Sequence, residues 1–448
     1  MAKAKSQMPK PARKKPALPE STSSFTLNCI CMFVFSIIFY YLYVSGGDEM
    51  RVLDVMLLLI LCSIPPIIKD LRSKDIQSKF KKQNKLSYLR IATKLLGLFL
   101  TYVFLEFLVW AFPKLGVNFF NSAMDYLSPA IPYIIAVTIP YVMLVDVYLP
   151  KPKDAYWHMG NLILRQQKPD YRMIVEHLKS WFIKFFFFAL MSVSVYGNFR
   201  SWSGWNMDRI NMAEGWQESF DIAVSELHRL AYTIDLFYAA LGYIMTFKLL
   251  GTNIRSSEPT FMGWIFCLIC YPPFWPLFNN SFFAYEDNIN WRNYYDGNMP
   301  VYLFWGICIL LCDFIYGFAT VAFGYRFSNI TYRGIITGGP YRFTKHPAYF
   351  FKNLSWWMVS LPFLSYGGPL EAVRNCFMLG CVSFIYYMRA RTEENHLSNY
   401  PEYVAYAEAM NERSIFRPLA KIFPFLKYSK ARADKWNSRV YKPYVEQY

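Results

Sequence analysis

Apolar runs of membrane-crossing length recur along almost the whole chain, separated by short basic loops, and no other feature constrains the fold as strongly. A helix needs about 20 mostly apolar residues to cross the hydrocarbon core of a bilayer. Runs at 25–44, 52–68, 91–112, 128–149, 181–197, 229–250, 260–279, 301–323, 348–366 and 373–389 give ten candidate spans. The composition agrees: 54% of the 448 residues are hydrophobic and 20% aromatic, against 17% charged, too apolar for an ordinary soluble domain and incompatible with disorder, coiled coil or collagen. The expected fold is all-α, a polytopic integral membrane protein with about ten transmembrane helices. The first run exceeds a signal-peptide core and no small-residue cleavage site follows it, so it is read as a retained anchor.

The loop charges predict an orientation. Loop 69–90 holds eight basic and two acidic residues and 151–184 holds seven and three, which places both in the cytoplasm. Segment 200–226 has five acidic residues and two basic, and 286–296 has three and one, so these face the other side. Strict alternation of ten helices satisfies all four assignments and puts both termini and the 324–347 loop in the cytoplasm. Residues 1–24 read as a flexible basic tail, with six cations in the first 20 residues and Pro9, Pro11, Pro16 and Pro19 opposing regular structure. Residues 419–448 read as a second basic tail, and 151–179 and 207–226 are long enough for interfacial helices. The net charge of +16 is accounted for by cations flanking apolar runs, so the expected partners are membrane lipids and no nucleic acid is expected. Most of the nine cysteines lie in apolar runs, and the single CxxC, Cys267 and Cys270, reads as helix-packing sulfur; no metal is expected.

Chemistry concentrates in two cytoplasmic stretches. The first, 334–349, has no acidic residue and contains Tyr341, Arg342, Lys345, His346, Pro347 and Tyr349. Pro347 disfavours helix at the residue before it and suits a first helical turn, which predicts Lys345 and His346 at a helix amino terminus, a place that attracts anions. The alternative is that the cations, Lys352 among them, only hold the loop inside. The second stretch continues the last span with Arg389, Arg391, Glu393, Glu394, His396 and Tyr400. At 100° per residue Glu393 and Glu394 cannot share one direction, so at most one enters a pocket. A two-span hairpin returns the chain to the same face and lets the stretches meet. Together they offer cations, carboxylates and aromatic faces suited to a zwitterionic, cationic cofactor with a ribose.

The order Gly339-Pro340-Tyr341-Arg342, Lys345-His346-Pro347-x-Tyr349, membrane hairpin, Glu393-Glu394, Tyr400-Pro401-Glu402-Tyr403-x-x-Tyr406 resembles the isoprenylcysteine carboxyl methyltransferase and phospholipid methyltransferase superfamily. The resemblance covers 324–418, about a fifth of the chain. Lys345 stands where that family usually has Arg, and Phe351 where a small residue is common. The resemblance implies methyl transfer from S-adenosylmethionine at the cytoplasmic edge of a bilayer, the bacterial inner membrane or the endoplasmic reticulum. The acceptor it implies is amphiphilic, a lipid or a prenylated, isoprenylcysteine-like carboxylate. Carried over, Tyr341, Lys345, His346, Pro347, Tyr349, Glu393 and Glu394 would bind the cofactor. Tyr341, Tyr349 and Trp356 or Trp357 would lend aromatic faces worth roughly 0.5 to 2 kcal/mol each to a sulfonium. Arg342 or Arg389 would orient a carboxylate acceptor, whereas an amine would need a base, His396 or a Glu such as Glu394.

Two other classes stay open at this stage. A sterol-type membrane reductase would bring NADPH to a similar loop. A transporter would use intramembrane charges, for which Lys94, Glu106, Asp146, Asp235 and Asp313 are the polar intrusions.

Overall fold

The computed structural model describes residues 16–44, 51–73, 77, 82–203, 212–286 and 289–439. Residues 1–15 of the expected amino-terminal tail, 440–448 of the carboxy-terminal one, 207–211 of the stretch 207–226, and parts of the 69–90 and 286–296 loops lie outside the described residues.

Helices carry nearly everything described. The first half supplies α1 (Phe25–Phe39), α2 (Val52–Leu71), α3 (Tyr88–Ala111), α4 (Phe119–Leu127), α5 (Ile131–Tyr148), α6 (Ala155–Leu164) and α7 (Tyr171–Ser203). The second half supplies α8 (Trp216–Ile244), α9 (Phe261–Leu268), α10 (Phe274–Ser281), α11 (Trp291–Tyr294), α12 (Met299–Phe323), α13 (Pro347–Ser360), α14 (Pro369–Leu397), α15 (Pro401–Arg413), α16 (Arg417–Ile422) and α17 (Lys430–Asn437). Among the described residues, five stretches are long and apolar enough to cross a membrane: Phe25–Leu42, Tyr88–Lys114, Phe119–Tyr148, Tyr171–Trp202 and Met299–Arg326. Their outer faces are apolar, as lipid contact requires; on α3, Phe99, Val103, Phe107 and Trp110 all point outward.

Several expected spans take another form. The 260–279 run is broken at Pro272-Pro273 into α9 and α10, eight residues each, so each rises only about 12 Å. The 348–366 run stops as helix at Ser360 after 14 residues, about 21 Å, where Leu361 turns into the left-handed region at φ 43°. The 229–250 run belongs to a helix that starts at Trp216 and ends at Ile244. The 151–179 segment divides into α6, capped by Asp154 accepting from Trp157 N–H at 3.2 Å, and the start of α7.

Packing is close where side chains permit it. α3 and α6 cross at Gly97 and Gly160, and a Cβ on Gly97 would meet the Tyr156 carbonyl oxygen at 1.8 Å, so only glycine fits there. An aromatic core built on Phe35, Phe120, Phe185, Phe186, Phe187 and Phe237 joins α1, α4, α7 and α8. A second core of tyrosines, Tyr332, Tyr400, Tyr403, Tyr406 and Tyr428, lies beside the loop that precedes α13.

Loop 245–260 is fastened to the same region by a two-residue antiparallel ladder, β1 (Ser256–Ser257) with β2 (Thr331–Tyr332). Arg333 completes the joint. Its buried guanidinium donates to the carbonyls of Thr252 (2.6 Å), Gly242 (2.7 Å), Phe327 (2.6 Å), Met245 (2.9 Å) and Tyr325 (3.1 Å), satisfying the carboxy end of α8.

Both expected tails are partly built into the fold. Residues 16–24, expected to belong to a flexible tail, run along the 334–339 loop, with Thr22 N–H and Oγ1–H both donating to Ile335 O at 2.9 and 2.8 Å. In the carboxy-terminal segment α17 is docked by Asn437 Nδ2 donating to Asn395 O at 2.8 Å, and Tyr428 shares a 2.8 Å hydrogen bond with Ser398.

Candidate functional site

Pro347 opens α13 as its spacing predicts, leaving His346 as the residue just outside the helix at φ −131°, ψ 61°. α14 runs without a break for 29 residues, about 43 Å, longer than a hydrocarbon core, and so carries its polar end past the apolar part of the hairpin. The hairpin is fastened by Trp357 Nε1–H donating to Ser383 Oγ at 3.1 Å and by Tyr349 O–H donating to Glu393 Oε2 at 2.9 Å. The two chemical stretches therefore meet. With α8, α12, the 326–336 loop and the Pro272 turn they enclose a cavity of about 300 Å³.

Six of the expected site residues line this cavity: Tyr341, Lys345, His346, Tyr349, Arg389 and Glu393. Arg342 does not. Its side chain stands exposed, pointing away from the enclosed volume, because the short helical turn Gly339–Arg342 directs Tyr341 inward and its neighbour out. Pro347 is buried as the opening residue of α13 and is not part of the lining.

Glu393 and Glu394 diverge as helical spacing requires. Glu393 faces the cavity, held by Tyr349. Glu394 is turned away and buried, with Lys345 Nζ 2.5 Å and His346 Nε2 3.2 Å from its Oε1 and the Arg391 guanidinium on Oε2. Burial alone would raise this carboxyl, but Lys345, then the His346 hydrogen bond and Arg391, outweigh it and hold Glu394 below the usual carboxylate range. Glu394 is thus a brace that orients Lys345 and His346, not a group presented to a ligand. The His346 ring in turn lies parallel to that of Tyr349 at 5.7 Å.

Arg389 also lines the cavity. Its guanidinium donates to Asn329 Oδ1 (2.8 Å) and Tyr271 Oη (3.1 Å) and lies 5.0 Å from the Tyr349 ring. Other lining cations are already engaged: Arg326 with Asp70 and the Gly251 carbonyl, and Arg333 with its five carbonyls.

The remaining candidates lie elsewhere. Trp356 stacks on Trp275 at 5.5 Å, Trp357 is taken by Ser383, and neither lines the cavity. His396 is fully buried behind the wall, Nε2 2.8 Å from Ser256 Oγ and Nδ1 3.7 Å from Glu258 Oε2, while Tyr400 O–H donates to the same Ser256 at 2.5 Å. Burial pushes His396 down to about 4 and Glu258 up to about 7. Such an imidazole is neutral and out of reach of a ligand in the cavity.

At the inner end stand Lys352, read from the sequence as a loop cation, and Asp235, read there as a polar intrusion able to line an acceptor cavity or pair locally. Lys352 places its ammonium 5.0 Å from the Tyr316 ring, 5.3 Å from Trp356, 5.8 Å from Tyr232 and 6.0 Å from Tyr386. Asp235 lines the same end and accepts from Tyr316 at 2.5 Å and from Thr320. The available signal was an acidic residue inside an apolar run. The other intrusions pair locally: Asp146 with Arg90 (2.6 Å) and Lys94 (3.1 Å), and Asp313 with His228 and Ser355 (both 2.8 Å).

Chemically, the cavity presents one carboxylate, one guanidinium without an ion-pair partner, an imidazole and several aromatic faces at its polar end, and an ammonium and a carboxylate, Lys352 and Asp235, among aromatic rings at its inner end. In comparisons with known proteins, no family model, no curated protein and no solved structure matches the chain.

Proposed function

We propose that the chain is an S-adenosylmethionine-dependent methyltransferase acting at the cytoplasmic membrane face on a lipid or lipidated acceptor. The observation that carries this reading is the convergence on one cavity of Tyr341, Lys345, His346, Tyr349, Arg389 and Glu393, drawn from two stretches about 45 residues apart. The donor set fits the cofactor. Glu393, positioned by Tyr349, suits an ammonium or ribose hydroxyls; His346 and Lys345 at the start of α13 suit a carboxylate; the faces of Tyr341, Tyr349 and Tyr386 tolerate a cation. When bound, that cofactor supplies a methyl group already activated on a sulfonium.

The protein's part is then placement and exclusion of water. Holding donor and acceptor in line can contribute roughly 7 to 11 kcal/mol of barrier lowering, and no metal is needed. Arg389 and Lys352 orient the acceptor's polar group. An orientation with both termini cytoplasmic puts the polar end of the cavity at the cytoplasmic leaflet, where an amphiphile arrives laterally.

One observation favours a second reading, an NADPH-dependent membrane reductase: Arg326, Arg333, Lys352 and Arg389 all line the cavity. Two of the four are fully engaged by protein groups, leaving too few free cations for a dinucleotide carrying an extra phosphate. Incubating membranes that contain the protein with radiolabelled S-adenosylmethionine, followed by lipid extraction and base-labile ester analysis, tests the first reading. Label should enter an amphiphile, and S-adenosylhomocysteine but not NADPH should raise the melting temperature of the purified protein. Absence of label together with an NADPH shift would reverse the choice.

A further inference from the structure

The two stretches of the candidate site are also bound from outside, by a third segment from the opposite end of the sequence. Residues 16–24 lie along the outer side of the loop whose inner side, Gly334 to Ile336 and Tyr341, lines the cavity. Besides the two Thr22 hydrogen bonds to Ile335 O, Thr337 N–H donates to Ser21 Oγ (3.2 Å) and Thr337 Oγ1–H to Pro19 O (2.9 Å). Phe25 lies so close that a Cβ on Gly339, itself at φ 55°, would meet its ring at 2.7 Å. At its outer end the segment touches the other half of the site: Leu18 packs on the tyrosine core around α15, and the Arg413 guanidinium of α15 donates to Pro16 O at 3.0 Å. The segment therefore bridges the pre-hairpin loop and the post-hairpin helix.

The residues ahead of Pro16 carry Lys3, Lys5, Lys10, Arg13, Lys14 and Lys15 and no acidic group. Six cations and no acidic group within 15 residues are the composition that an anionic leaflet attracts, with an attraction that falls off within a Debye length. We propose that residues 16–24 are a latch holding the loop 334–342 against α15, and that the cations preceding it make the latch responsive to an anionic lipid surface. The latch acts on the site described above and its regulatory meaning rests on that reading, whereas its mechanical part does not. Ser21 and Thr22 are positioning residues: they touch no ligand and act through the backbone of Ile335 and Thr337.

The test uses the full chain in phosphatidylcholine vesicles and in vesicles that also contain phosphatidylserine. Hydrogen exchange at the amides of 335–342 is read alongside S-adenosylhomocysteine affinity. The variant T22V/S21A nearly keeps side-chain volume but removes two of the hydrogen bonds; exchange of the loop should quicken roughly thirty-fold, as expected for the loss of two net hydrogen bonds. T22S, which keeps the hydroxyl, should retain wild-type protection. With Lys3, Lys5, Lys10, Arg13, Lys14 and Lys15 all changed to Gln, the extra protection that phosphatidylserine confers on the loop should vanish. Unchanged exchange in T22V/S21A, or a lipid response that survives neutralisation, overturns the proposal. Because exchange needs no ligand, a wild-type protein that binds no S-adenosylhomocysteine yet shows these exchange changes would reject the methyltransferase reading and leave the latch standing.

Discussion

Replacing Glu394 by Gln removes one negative charge from beneath two cations, Lys345 and Arg391, and the His346 imidazole. Lys345, His346 and Arg391 retain only 11, 20 and 14% of their side-chain exposure, so the charges left behind gain little from water. Breaking a buried ion pair by deleting one partner costs about 3 to 5 kcal/mol. The residual exposure of all three groups points to the lower end, about 3 kcal/mol. Denaturation of the purified protein in mixed micelles should report that loss at neutral pH. The sign against pH is specific. Glu394 is held below the usual carboxylate range, so its contribution is fully present above the unfolded value of about 4.3 and fades as pH falls below it. The difference between wild type and E394Q should be flat from pH 5 to 8 and shrink in more acid solution. The double variant E394Q/K345M, which also removes the more buried of the two cations, should recover at least about 1 kcal/mol relative to E394Q. A loss under about 1 kcal/mol, or a double variant no more stable than the single one, would refute the brace.

Further expectations separate the two acidic neighbours and the two ends of the site. E393Q and Y349F should each weaken S-adenosylhomocysteine binding by about ten-fold or more and also lower the melting temperature, since the charge-assisted hydrogen bond they weaken or remove at the cavity wall also fastens the hairpin; isothermal titration in detergent decides it, and unchanged affinity counts against the cofactor placement. R342A should keep methyl incorporation within about two-fold of wild type, because its side chain is exposed and outside the lining; a collapse of activity would restore it to the site. Burial pushes Glu258 up to about 7, so the folded state favours its protonated form; that contribution is complete below about pH 4.3 and is lost as pH rises to about 7, about 3 kcal/mol in all. E258Q, which can still accept from Thr260 and faces His396, should remove that slope from the pH dependence of stability.

Which parts of this arrangement could be read in advance follows from the range of the forces involved. Hydrophobicity is a local property of a run, so apolar helices were visible at once, and Pro347 marked a helix start because a proline restricts its own φ and its neighbour's backbone. The divergence of Glu393 and Glu394 followed from helical geometry alone. Run length was a weaker guide. The 260–279 run averages as one span although Pro272-Pro273 interrupts its ladder, and the 348–366 run ends as helix at Ser360 because nothing in hydropathy registers a left-handed residue at Leu361. Least legible were groups satisfied at long range. Arg333 resembles any loop cation until five carbonyls from three stretches of chain, 242–245, Thr252 and 325–327, surround it, and its identity as a joint exists only in three dimensions. Pro16 and Pro19 stand in backbone without regular structure, and an irregular backbone is also one whose carbonyls and hydroxyls are free to satisfy another loop. Thr22 and Ile335 are 313 residues apart, and what pairs them is the docking of α1 against α12, where Phe25 meets Phe318 and Asn28 Nδ2 donates to Val321 O at 2.8 Å. The apolar segment that looked like a plain anchor is thus what carries the polar segment ahead of it to the candidate site.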